Sequence, residues 1–272
     1  MPRITATVRV PQKARTEDRQ GRDSRGLPRL SIVVPFRDRA AHLARFLPHL
    51  TAYFQRDKLD KAIPYRITVV EQVPGKVFNT ARLRNIGFLL TEADCDYVCF
   101  HDVDYLPIWA DYRMPDRPTR IVWYGADRVR VEEGSKAVVR HKHDSFFGAV
   151  VMLPAADFRR VNGYGNDSWG WGYQDSDLRE RCIAEGLEIG LRDGTFEVLP
   201  HRSRGFLVAG GPTEENKRNR LLFTARRAVA KTLRLHRSDG LSNIEYKILE
   251  RGPILDPGGR PFPKTERVLV EF

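Results

Sequence analysis

The stretch Tyr97-Val98-Cys99-Phe100-His101-Asp102-Val103-Asp104 runs from mostly apolar residues straight into two carboxylates. Tyr97 to Phe100 suit a short buried strand. In open α/β sheets ligands bind beyond the carboxyl ends of strands, so the acidic pair stands where chemistry usually occurs. One carboxylate of such a pair can turn toward a ribose hydroxyl and the other toward a divalent ion bridging diphosphate oxygens. Acidic pairs at strand ends also serve as caps or solvated loops, so Asp102 and Asp104 need context.

Upstream, Leu30-Ser31-Ile32-Val33-Val34 is a continuous apolar run closed by Pro35, which fits a strand buried on both faces of a parallel sheet. Residues 40 to 54 read as its crossover helix. Arg66 to Val70 repeats the strand pattern, and Leu83, Ile86, Leu89 and Leu90 fall at helical spacing between Phe78 and Glu92. Downstream, Phe146 to Leu153 is another apolar run, Pro154 opens a short helix ending at Asn162-Gly163, and Gln174 to Glu185 reads as a helix capped by Gly186. Strands are expected at 187–191, 196–199, 244–249 and 268–272, with a basic helix over about 214–236. The alternation predicts an α/β fold.

The chain has 272 residues with 41% hydrophobic content, enough for one substantial core. Residues 1–29, rich in Arg, Pro and polar residues, are expected as a flexible basic tail before a single domain over 30–272. Its nucleotide-binding half would span about 30–110 and its acceptor half about 111–272. No run of eighteen apolar residues and no secretory h-region occur, so a soluble cytoplasmic protein is expected. Cys95, Cys99 and Cys182 lack metal-knuckle or redox spacing and read as reduced core thiols. A net charge of +11 suits nucleic acid, an anionic membrane or a phosphorylated substrate, and does not choose among them.

Trp169-Gly170-Trp171-Gly172-Tyr173-Gln174-Asp175-Ser176-Asp177 places planar aromatic faces between glycines and beside carboxylates. Sugars present apolar CH faces and hydroxyls that such groups match. Asp175 falls in the first turn of a helix, where free amides favour an anion, and an ionised carboxylate can take a hydroxyl proton. Asp177 reads as a capping residue. His201, after a predicted strand, can add a nitrogen ligand to the site that Asp104 begins.

The blocks Pro35-Phe36-Arg37-Asp38-Arg39, Phe78-Asn79, Asn85-Ile86-Gly87-Phe88, Asp102-Val103-Asp104, the Trp-Gly-Trp-Gly loop and Ser238-Asp239-Gly240-Leu241 follow one another as in the β-1,4-galactosyltransferase family, which the chain resembles from about Leu30 onward. The stretch from Phe100 to Asp104 is most similar to the xylosylprotein branch. The resemblance implies a GT-A type fold, a Rossmann-like mixed sheet flanked by helices. It also implies a UDP-sugar donor, Mn2+ and inversion at the anomeric carbon by direct displacement, with transfer of galactose to a sugar hydroxyl of a glycan acceptor.

By the same resemblance, Pro35, Phe36, Arg37 and Arg39 hold the uridine and phosphates, Phe78 lies near the base, and Asp102 and Val103 line the ribose. Asp104 and His201 bind the metal. Trp171 sits between donor and acceptor, Phe146 bears on the donor sugar, and Tyr173 and Gln174 flank Asp175, the general base. Gln174 stands where the family usually has Glu. Thr80 replaces a frequent basic residue, Ala149 the second glycine of a Gly-Gly pair, and Val198 and Ser203 the neighbours of the first metal ligand. Animal relatives carry a membrane anchor and disulfides, which suggests that this chain is a bacterial or otherwise cytosolic enzyme.

That setting implies a lipid-linked acceptor, peripheral contact of the basic segments with an anionic membrane, and no nucleic-acid partner. Residues 201–220, rich in Gly and charge, suit a lid over the donor. The alternative donors are UDP-GalNAc, UDP-GlcNAc and UDP-glucose, since pocket size near Phe146 separates them by only a few kcal/mol. A non-catalytic carbohydrate- or nucleic-acid-binding protein is the reading from another class.

Overall fold

The computed structural model describes residues 6–8, 26–56, 62–121, 138–139, 146–200 and 211–272. In chain order the strands are β1 (Ala6–Val8), β2 (Leu30–Phe36), β3 (Tyr65–Gln72), β4 (Tyr97–His101), β5 (Tyr105–Ala110), β6 (Thr119–Arg120), β7 (Val138–Val139), β8 (Val150–Pro154), β9 (Gly190–Leu191), β10 (Gly194–Val198), β11 (Tyr246–Leu255) and β12 (Pro261–Glu271). The α-helices are α1 (Ala40–Gln55), α2 (Thr80–Thr91), α3 (Ala155–Arg160), α4 (Gln174–Ala184) and α5 (Glu214–Leu233).

The main sheet has nine strands in the order β1-β11-β12-β3-β2-β4-β8-β6-β9. β2 pairs in parallel with both β3 and β4, and β4 then pairs antiparallel with β8. The chain leaves β2 to one side and returns to its other side at β4, so their carboxyl ends form a switch point where a crevice opens. Every residue of β2 is buried, as a central parallel strand requires. β5, β10 and β7 form a second, antiparallel sheet.

One core layer packs α1 and the second sheet against the main sheet through Phe46, Leu50, Phe54, Tyr112 and Phe196. The other packs α2, α3 and α4 on the opposite face through Leu83, Ile86, Phe88, Phe158 and Leu178. Gly87 brings α2 against β2: a β-carbon there would lie 2.3 Å from Cγ1 of Val33. Asn79 caps α2, accepting from the Arg82 amide at 2.9 Å, while its own amide donates to Oε1 of Gln72.

Several expectations change. Ala6–Val8, within the expected tail, pairs with the outer edge of β11, whose unpaired backbone groups accept a further strand. The expected division near residue 110 is not a boundary in the sheet, because β12 from the second half lies beside β3 from the first. The apolar run from Phe146 forms a strand only from Val150, since Ala149 turns the backbone with φ 65°. The strand expected over 187–191 is confined to Gly190–Leu191. Of the segment expected as a lid, residues 201–210 lie outside the described residues and Glu214 onward is helical. Cys95, Cys99 and Cys182 are free and buried, as expected; burial pushes the Cys95 and Cys182 thiols up to about 12.

Candidate active site

The carboxyl ends of β2 and β4 deliver the residues expected to meet the donor. Pro35 and Phe36 end β2 in the core. Arg37 follows half-buried, donating from Nη1 to the Lys76 carbonyl at 2.7 Å with its guanidinium 5.0 Å from the Phe78 ring centroid. Arg39 stands at the amino end of α1. Pro35, Phe36, Arg37, Arg39 and Phe78 are thus gathered at one crevice wall.

His101 ends β4 fully buried. Its Nδ1 lies 3.0 Å from the Asp102 carbonyl and its Nε2 2.9 Å from the Tyr112 hydroxyl. A carbonyl only accepts, so Nδ1 carries the proton and Nε2 accepts from the tyrosine. Burial lowers this imidazole to about 4, which keeps it neutral. His101 therefore fixes the turn that presents Asp102, whose amide also donates to the Ala149 carbonyl at 2.9 Å. Val103 belongs to the core, and the buried Asp104 immediately precedes β5.

Arg84, on α2, reaches this turn from beneath. Its Nη2 lies 2.8 Å from Oδ1 of Asp102 and its Nη1 2.6 Å from Oδ1 of Asp175, with only 3% of its side chain exposed. One guanidinium thus joins the acidic turn after β4 to the first turn of α4. Burial works against its charge, but the Tyr164 hydroxyl and the two carboxylates raise its hold on the proton well above the ordinary arginine value. Burial is also the leading cause that pushes the Asp102 carboxyl up, opposed by Arg84 and reinforced by Asp104 and Asp175.

Asp175 packs against Gly148, where a β-carbon would sit 2.3 Å from Oδ2. Gln174 begins α4, and its buried amide oxygen has no hydrogen-bond partner among the described residues. Tyr173 precedes it with φ 69° and stacks on Phe223 at 5.5 Å. Trp171 is 43% exposed, the most open of the predicted site residues. Phe146 is half-buried under the Arg120 guanidinium, 5.6 Å from its ring centroid, and Arg120 also donates to its carbonyl.

Asp177 turns away: its Oδ2 accepts from Nε of Arg181 at 2.7 Å, four residues on. Ser238-Asp239-Gly240-Leu241 is scaffold. Arg181 and Arg226 both reach Oδ2 of Asp239, and a β-carbon on Gly240 would lie 1.8 Å from the Asn162 carbonyl. Val198 ends β10 and packs on the core. His201 and Ser203 lie outside the described residues, among which no group of three or more His, Cys, Asp or Glu gathers as a metal site.

Sequence reading missed Arg84 and Gly148. Arg84 carried a signal: an arginine inside a helix whose neighbours Leu83, Asn85 and Ile86 are all buried must find a carboxylate. Gly148 carried one only as the first place of the family's Gly-Gly pair; its contact with Asp175 comes from the fold alone.

A mixed sheet flanked by helices, with carboxylates gathered at the switch point, is a GT-A type α/β fold. A family profile described as the N-terminal region of glycosyl transferase group 7 matches residues 10–114, and one described as the N-terminal domain of galactosyltransferase matches 130–202. The chain belongs to glycosyltransferase group 7. It is 33% identical over 238 residues to beta-1,4-galactosyltransferase 4 of Homo sapiens, covering 85% of this chain and 63% of that protein. It is 29% identical over 226 residues to beta-1,4-galactosyltransferase 7 of Drosophila melanogaster, covering 82% and 64%. The chain therefore spans a little under two thirds of these relatives.

Among solved structures, the catalytic domain of Drosophila beta-1,4-galactosyltransferase 7 with xylobiose superposes with a TM-score of 0.68 at 26% identity, covering 90% of this chain and 94% of that one. A mutant of the same enzyme in complex with manganese, UDP-Gal and xylobiose gives a TM-score of 0.66 at 25% identity.

Proposed function

We propose that this protein transfers galactose from UDP-galactose to a sugar hydroxyl of a glycan acceptor, with inversion at the anomeric carbon. The observation that carries the reading is the meeting of Asp102, from the donor-side turn, and Asp175, from the aromatic loop and α4, on the Arg84 guanidinium. Similarity to enzymes solved with UDP-Gal, manganese and xylobiose supports the donor and the acceptor class.

In this reading Asp102 and Val103 line the ribose, Arg37 and Arg39 face the diphosphate with Pro35 and Phe36, and Phe78 stacks near the base. Asp175 takes the proton of the acceptor hydroxyl as that oxygen attacks the anomeric carbon; the bond to UDP breaks and UDP leaves with the bonding pair. Trp171 offers an apolar face to a sugar ring, with Tyr173 beside it. Gln174, whose buried oxygen lacks a partner, accepts from an acceptor hydroxyl. Phe146 bounds the donor sugar.

Asp104 fits a hard divalent cation, being a buried carboxylate two residues from the ribose-side Asp102. With His201 it would hold Mn2+, which neutralises charge on the diphosphate.

The test is UDP release from a panel of UDP-sugars with manganese, with and without xylosides or N-acetylglucosaminides, beside Asp175→Asn. Release that needs metal, acceptor and Asp175, and is fastest with UDP-galactose, bears the reading out. Binding of glycans or nucleic acid without release overturns it.

We also propose a cytoplasmic enzyme in peripheral contact with an anionic membrane that presents a lipid-linked acceptor. Supporting it, Lys217, Arg220 and Arg227 share the outer face of α5 with Leu221, which is 72% exposed. No described helix is long and apolar enough to cross a membrane. Flotation with phosphatidylglycerol vesicles, abolished by Leu221→Asp with Arg220→Glu, is the expected result; equal flotation of the variant overturns it.

A further inference from the structure

We propose that Arg84 is a positioning residue for the transfer reaction, aiming the Asp175 carboxylate and tying it to the donor-side turn at Asp102. The inference rests on the reading of Asp175 as the base. It assigns a role to a residue that lies under the site and touches neither substrate.

The geometry gives each terminal guanidinium nitrogen one task, while the buried Nε has no hydrogen-bond partner among the described residues. Nη1 binds Oδ1 of Asp175 and Nη2 binds Oδ1 of Asp102, while the plane lies 5.1 Å from the Tyr164 ring centroid. Oδ1 of Asp175 is thereby committed, and Oδ2, on the Gly148 side, is left to take the acceptor proton. Arg84 is rooted in α2, whose Gly87 is pressed onto β2, so the base is referenced to the centre of the sheet.

Stability alone is poorly served by this charge. A buried ion pair is often matched or bettered by apolar side chains of similar volume, and Arg84 lies beside the buried Leu83, Ile86 and Phe88 of α2. What apolar packing cannot do is hold two carboxylates from different elements side by side. The charged or titratable groups whose fields reach Asp175 are Arg84 from α2, Asp102 beyond β4 and the Tyr164 phenol after α3. Of these described groups only Arg84 brings a positive charge, and without it the two carboxylates repel.

The test compares Arg84→Met and Arg84→Lys with the wild type. For Arg84→Met, kcat falls on the order of 100-fold with donor KM nearly unchanged. Arg84→Lys keeps the charge but loses the fork, and restores part of the rate. The carbon-13 chemical shift of the labelled Asp175 carboxyl, assigned with Asp175→Asn, is displaced in Arg84→Met without turnover. An unchanged kcat and chemical shift, with lowered melting temperature alone, would make Arg84 merely structural and overturn the proposal. If the wild type transfers no sugar yet the chemical shift is displaced, the transferase reading fails and the hold of Arg84 on Asp175 stands.

Discussion

Gly148 and Asp175 touch so closely that a β-carbon on the glycine would lie 2.3 Å from Oδ2 of the aspartate and 2.7 Å from its Cγ. The glycine is thus the wall against which this proposed base is set, opposite Arg84. Gly148→Ala must push the carboxylate off the guanidinium or shift the 146–149 backbone. Displacements of about 1 Å at a reacting group cost roughly 100-fold in rate, so kcat is expected to fall by about that factor. The melting temperature should change little, because Gly148 does not need a left-handed backbone. Steady-state kinetics and thermal denaturation on the same sample check both halves.

Next to it, Ala149 holds φ at 65°, a conformation that costs a non-glycine residue on the order of 1 kcal/mol. Its carbonyl accepts the Asp102 amide, so the strained residue helps place the acidic turn. Ala149→Gly relieves the strain but frees the unfolded chain, which offsets part of the gain. The expected net effect is a stabilisation of about 0.5 kcal/mol, read as a rise of roughly 1–2 °C in melting temperature. A fall would mean that the Ala149 methyl contributes packing that outweighs the strain.

The fold was legible wherever one physical signal dominated. Continuous apolar runs such as Ile32-Val33-Val34 belong to strands covered on both faces, and β2 and β4 lie where those runs place them. β5 escaped because Pro107 interrupts it and it follows the acidic turn with almost no connection. β6 is too short for any periodicity to appear. In the site, Asp175 and Asp177 look alike in a sequence, yet two residues along a helix turn a side chain by more than half a circle. One therefore meets Arg84 and the other Arg181. Arg84 was hidden by the same periodicity that revealed α2, which counts apolar positions and passes over a charge among them.

Far from the crevice, Glu185 carries much of the acid sensitivity expected of the scaffold. Its side chain is 6% exposed, and its Oε1 receives Nε2 of His236 at 2.9 Å and Nη2 of Arg237 at 3.2 Å. Burial pushes its carboxyl up, but the hydrogen bonds from His236 and Arg237 and the charges of Arg237 and Arg234 outweigh this and hold it below the ordinary glutamate value. A depressed carboxyl stabilises the fold fully above its unfolded value of about 4.5 and loses that contribution as pH falls through the folded value. Wild type should therefore be more stable than Glu185→Gln at pH 7, with the gap closing below about pH 4. Denaturant titrations across pH 3–7 check it; a constant gap would assign the difference to packing.

The aromatic loop depends on α5 for its shape. Asn219 donates from Nδ2 to the Trp169 carbonyl at 2.9 Å, and Asn216 from Nδ2 to the Trp171 carbonyl at 3.2 Å. Gly172 is what lets the second amide approach: a β-carbon there would lie 2.3 Å from that Nδ2, and its φ of 108° disfavours any other residue. Thr213 caps the helix by accepting from the Asn216 amide at 3.2 Å, so the first turn of α5 and the loop are built as one piece. Removing one buried amide leaves a carbonyl without its donor and costs about 1–3 kcal/mol, felt locally. Asn216→Ala is expected to loosen Trp171, the loop's exposed aromatic, and so to raise the acceptor KM roughly tenfold while leaving the donor KM within about twofold. Equal rises in both constants would show that the loop serves the donor as much as the acceptor, and no change would show that α4 alone holds Trp171 in place.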